Sequence, residues 1–132
     1  MGKRRRGGRR AVVRRRRFED LVAAALAEIP EPFRAALDEV AVVIEEEPTP
    51  DQLAEQGLGP HETLYGLYEG VPRTIPFADW GGPNKITVFR RPLEEDFPDP
   101  AELAREVRRT VIHELAHHLG IDDRRLEELG AD

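Results

Sequence analysis

His113-Glu114-x-x-His117 sets two imidazoles and a carboxylate at intervals suited to a metal-assisted reaction. On a helix, residues four apart lie nearly above one another, about 40° around the axis. His113 and His117 can therefore present imidazole nitrogens to one metal ion. Glu114 stands about 100° round from His113, within reach of a water at that metal without being a ligand. The spacing continues to Gly120 and Asp123. Gly120 can take the left-handed conformation that ends a helix, and the chain then turns back with Asp123 as the candidate third ligand. Asp122 is its rival, but Asp123 has the matching interval. Three protein ligands, one open position and an adjacent carboxylate are the parts of a hydrolytic zinc site.

That site needs a rigid helix beneath it, and the sequence supplies one. Asp99-Pro100-Ala101-Glu102 is a helix start, with a capping aspartate, a proline in the first turn and a glutamate three residues after the cap. The helix is expected to run from there to Leu119. Leu103, Ala104, Val107 and Val111 form one apolar stripe. Ile112, Leu115, Ala116 and Leu119 then cover further directions, so the histidine-bearing half is expected to be largely buried. His118 shares the stripe of Val107 and Val111 and is expected to pack or to support the ligands. Leu126 and Leu129 indicate a last short helix.

Upstream, Phe18, Leu21, Val22, Ala25, Leu26 and Ile29 follow helical spacing, which predicts a first helix over residues 18–28 ended by Pro30. Residues 40–44 are a β-branched apolar run and read as a buried strand. Glu45, Glu46 and Glu47 after it read as a solvated strand end. Residues 64–70 alternate weakly around Gly66 and read as a strand at a sheet edge. Residues 85–90 alternate best and are expected to end at Pro92. Residues 33–37 and 51–56 are expected to be helical turns, and His61 a loop residue. Residues 72–83 form a Pro- and Gly-rich loop with Phe77 and Trp80, which could line a cleft or, more simply, cap the core.

The extended motif resembles the zincin signature in its aspartate variant, and the chain resembles a small bacterial zincin-like metallopeptidase family. Besides His113-Glu114-x-x-His117-x-x-Gly120-x-x-Asp123, residues 18–30, 64–70 and 86–92 look like segments of that family. The resemblance covers residues 18–132. It implies zinc at His113, His117 and Asp123, with Glu114 as general base, and it implies no particular substrate. Two departures from larger zincins stand out. The only methionine is Met1, so there is no methionine turn beneath the metal, and nine residues follow Asp123. The substrate pocket is therefore expected to be open, or completed by a partner.

With 132 residues the chain allows one domain with a modest core. It has no cysteine, so disulfides and thiolate metal sites are excluded and a metal must rest on histidine and carboxylates. No apolar run is long enough to span a membrane. Residues 14–27 set twin arginines before an apolar run, as an export signal does, but Glu19 and Asp20 interrupt it and the run is short. A cytoplasmic location is expected. The net charge of −6 hides a division. Residues 1–17 hold ten bases and no acid, whereas the remainder holds ten bases against 26 acids, a balance of −16. Residues 1–17 are expected to be a disordered basic tail. It would either contact a polyanion or simply solubilise a chain that uses eighteen arginines and two lysines.

These readings converge on an α+β fold: a small mixed sheet of about three strands, packed on an N-terminal helix and a long metal-binding helix, over residues 18–132. The expected activity is zinc-dependent hydrolysis of peptide bonds in a peptide or protein substrate. Two other readings compete. A zinc-dependent endoribonuclease family has similar histidine spacing, but with glycine where this chain has Glu114 and histidine as third ligand. A non-enzymatic adaptor would keep zinc for structure alone.

Overall fold

A computed structural model of the chain describes residues 6–71 and 84–130. The expected loop aromatics Phe77 and Trp80 lie outside the described residues. Three strands form one mixed sheet in the order β1-β3-β2. β1 (Ala41–Glu45) runs parallel to β3 (Lys85–Phe89), and β2 (Gly66–Glu69) runs antiparallel to it. In β3, Ile86, Thr87, Val88 and Phe89 are all buried, because this central strand is covered on both faces. β1 is half-buried rather than buried, since it forms the other edge.

Two long helices carry most of the core. α1 (Arg6–Ala27) packs through Phe18, Val22 and Ala25, and α5 (Pro100–Leu119) through Leu103, Val107, Val111 and Leu115. α5 also lies against β2 and β3. Asp99 caps α5 by accepting from the Glu102 amide at 3.1 Å, with Pro100 in the first turn. The sheet therefore receives the α+β packing expected of it. Between strand and helix, the short α2 (Phe33–Ala36) and a 3₁₀ turn (Leu37–Glu39) lead into β1. α3 (Pro50–Glu55) starts on a capping box between Thr49 and Gln52.

Besides the exposure of β1, three local expectations need correction. First, α1 begins at Arg6, twelve residues before Phe18, so residues 6–17 are helical rather than a disordered tail. The reason is tertiary: Arg15 reaches the end of the sheet, donating to the Ile44 carbonyl at 2.8 Å and to Glu46 Oε1 at 3.0 Å. Second, Pro92 does not end the third strand in an extended segment. It sits in the first turn of α4 (Arg90–Asp96), where a missing N–H is tolerated. Third, Glu46 is not merely solvated. Arg90, which is buried, donates to its Oε2 through Nε at 2.7 Å, and Arg90 also pairs with Glu94 at 2.8 Å. The Arg90 hydrogen bond is the main reason the Glu46 carboxyl is held below the usual carboxylate range, with Arg15 adding to it. The Arg90 contact is charge-assisted and has one buried partner, whereas the Arg15 pair is exposed on both sides, at 40 % and 43 %, and is weaker.

Candidate active site

The site lies on the last two turns of α5 and the turn after it. His113, Glu114 and His117 follow one another on a helix that is unbroken to Leu119, and the register assumed for the histidine pair holds. Gly120 adopts the left-handed conformation at φ 73° and ends the helix. Its amide donates to the His117 carbonyl at 3.1 Å, and the Ile121 amide donates to the Ala116 carbonyl at 2.8 Å. The chain then turns into α6 (Asp123–Glu128). Asp122 accepts from the Arg125 amide at 2.8 Å and is the cap of that helix. This rival for the metal is thus committed to the backbone, while Asp123 begins the helix and is exposed.

Burial is more uneven than the apolar pattern suggests. The Glu114 side chain is 12 % exposed, whereas that of His117 is 58 % exposed and faces solvent. Glu114 Oε2 is buried and accepts no hydrogen bond, although His117 Nδ1 stands 3.5 Å away. Burial raises the Glu114 carboxyl above its ordinary value, the neighbouring His117 and His113 act to lower it, and the charge of Asp123 raises it further. All three candidate ligands therefore act electrostatically on Glu114. Among the described residues, no three His, Asp or Glu side chains are gathered closely enough to hold a metal ion. The donor chemistry nonetheless fits zinc: two imidazoles at a four-residue interval, a carboxylate after the turn and, beside them, a buried carboxylate oxygen that accepts no hydrogen bond.

An open groove of about 540 Å³ runs beside Glu114 and His113. Tyr65, Gly66 and Phe97 line it together with Thr110 of α5. Tyr65 and Phe97 meet edge to face, with ring centroids 5.6 Å apart. The Tyr65 hydroxyl donates to Asp96, and that bond above all pushes its pKa up to about 12, so the phenol keeps its proton. A groove of about 600 Å³ between α3 and α4 contains none of the motif residues.

His118 is 2 % exposed and points away from the groove into the core. Its Nε2 faces Glu39 Oε1 at 3.1 Å, and its Nδ1 and the Tyr68 hydroxyl are 2.9 Å apart. A carboxylate only accepts, so the Nε2 nitrogen carries the hydrogen on that side. The pairing pins α5 to β2 and to the 3₁₀ turn one residue beyond His117, which fixes the rotation at which the helix presents His113, Glu114 and His117. The support expected of His118 is therefore visible, but its partners Glu39 and Tyr68 carry no sequence signal. Gly66 did carry one, as a glycine within a strand. A Cβ there would come within 2.5 Å of Thr110 Cγ2 and 3.6 Å of Glu114 Cγ, so the glycine lets β2 lie against the helix beside the site.

No curated protein matches the chain. The sequence pattern that defines zincin-like metallopeptidases matches residues 37–131, which takes in the sheet, the capped helix, the histidine pair and the turn to Asp123. With this match over most of its length, the chain belongs to the zincin-like metallopeptidase family.

Proposed function

We propose that the protein is a zinc-dependent peptidase in which His113, His117 and Asp123 hold the metal and Glu114 is the general base. The observation that carries this reading is the buried Glu114 Oε2 without a hydrogen-bond partner, one residue from His113 and beside His117. A buried carboxylate oxygen left without a hydrogen bond is costly unless it has a task. Zinc, when bound, supplies a Lewis acid that polarises the scissile carbonyl and makes water a better nucleophile. Glu114 takes a proton from the attacking water at its unpaired oxygen and returns it to the leaving amine. Its raised carboxyl pKa suits both transfers, since the group is a stronger base than an ordinary glutamate. The groove along Tyr65, Gly66 and Phe97 receives the substrate chain, and the His118 pairing holds the helix in register.

The test uses the zinc-loaded full chain and a mixed peptide library read by mass spectrometry. Wild type should cleave peptides, and Glu114→Gln should retain stoichiometric zinc while losing about 10²–10⁴-fold in rate, the usual contribution of a general base. A variant that keeps full activity, or one that loses its zinc, refutes the assignment. Cleavage of RNA instead of peptides by the wild type would favour a nuclease.

A further inference from the structure

We infer that the N-terminal half of α1 is a duplex nucleic-acid-binding arm, held away from an acidic body as a single arginine-faced helix. Between residues 6 and 17 the chain has seven arginines and no acid. The core contacts of α1 begin only at Phe18, and Arg9, Arg10, Arg14, Arg16 and Arg17 are exposed. A Cβ added at Gly8 would meet nothing within 4 Å, so the arm is open there.

The helical register sorts these arginines. At about 100° per residue, Arg9, Arg10, Arg16 and Arg17 fall within an arc of roughly 120° turned away from the stripe of Phe18, Val22 and Ala25, and Arg14 stands exposed at the edge of that stripe, beside Phe18. Arg15 falls outside that arc, on the core side. Among the described residues it is the one arginine of the stretch held in ion pairs, to Glu19 at 3.2 Å and Glu46 at 3.0 Å. Five guanidinium groups are therefore presented to a partner, and one belongs to the fold.

The chemistry of the arm selects among anionic partners. Val12 and Val13 are 68 % and 48 % exposed, but they point about 100° apart and Val13 lies inside the arginine arc. There is no apolar stripe of the kind an interfacial helix inserts into a membrane. There is also no aromatic side chain from residue 6 to 17 on which unpaired bases could stack. A helix bearing arginines along one face, without either feature, fits the phosphates lining a duplex groove.

The rest of the chain explains the projection. The −16 balance of the other residues repels phosphate at short range. Twelve helical residues extend about 18 Å, beyond the screening length of about 8–10 Å at 0.1–0.15 M salt. Arg9 and Arg10, toward the tip, are thus the arginines farthest from the body's field, while the base of the arm remains tied to Glu46.

The experiment measures anisotropy of a labelled 20-base-pair duplex with the full chain over a salt series. Wild type should bind, with an affinity that falls steeply with salt. Replacing Arg9, Arg10, Arg14, Arg16 and Arg17 together by glutamine should make the log–log slope shallower by about 4.5, and Arg17→Gln alone by about 0.9. Arg15→Gln, checked for folding by circular dichroism, should leave the slope unchanged. The inference is overturned if wild type does not bind the duplex, or if Arg15→Gln flattens the slope as much as Arg17→Gln, as a disordered tail would. It is equally overturned if a single strand or vesicles of anionic phospholipid bind more tightly at equal salt.

Discussion

Replacing Gly66 with alanine would test whether the close approach of β2 to α5 sets the geometry at Glu114. The new Cβ would lie 2.5 Å from Thr110 Cγ2, 3.3 Å from the Thr87 carbonyl oxygen and 3.6 Å from Glu114 Cγ. Carbon atoms pack best about 3.5–4.0 Å apart, so the methyl and Thr110 must separate by roughly 1 Å. Neither side yields easily. Gly66 is in register with Val88 of the buried central strand, and Val111 and Leu115 fix α5 in the core. Overpacking of this kind costs about 1–3 kcal/mol. In a Thr110→Ala background the worst contact is gone, and the same substitution should be nearly neutral. The four proteins of this cycle, unfolded in denaturant with a chelator present, should give a coupling of about 1–2 kcal/mol between positions 66 and 110. Zinc affinity of the Gly66→Ala chain should fall with its stability and recover in the double variant. An equal cost in both backgrounds, or no cost in the wild type, would show that Thr110 does not set the spacing.

The ligand assignment separates three neighbours. Asp123→Ala should weaken zinc binding strongly in chelator competition, Asp122→Ala should cost about 1 kcal/mol of stability as a lost cap, and His118→Ala should destabilise the fold through its buried pairings. Zinc retained by Asp123→Ala and lost from Asp122→Ala would reverse the first two roles. The Glu46 carboxyl, held low mainly by Arg90, contributes stability that is present above its unfolded value near 4.5 and is lost as the pH falls below it. Glu46→Gln should therefore lower the melting temperature at pH 7, and the gap to wild type should narrow in acid. The effect is about 1 kcal/mol, at or below the low end for a charged hydrogen bond, because the Glu46 side chain is 43 % exposed and Glu94 still pairs with Arg90. A gap that widens in acid would contradict the assigned sign.

The local parts of the site follow from neighbouring residues alone. The interval from His113 to His117 needs only the helical repeat, and Asp99 and Gly120 mark helix ends through their own side chain or dihedral angle. Strand β3 was legible for the same reason, since apolar alternation is a property of neighbouring residues. Other features required partners far away in the chain. Residues 6–17 lack a hydrophobic repeat, and α1 is anchored there by Arg15 meeting Glu46, 31 residues on. Pro92 looks like a strand end until Arg90 is seen bound to Glu46, 44 residues earlier, at the start of a helix. His118 acquires its role from Glu39 and Tyr68, 79 and 50 residues distant. Dihedral preferences and caps act within a turn of the chain, so they can be read in order. Which charge meets which guanidinium, and how closely a glycine lets strand and helix approach, is decided only when the elements pack.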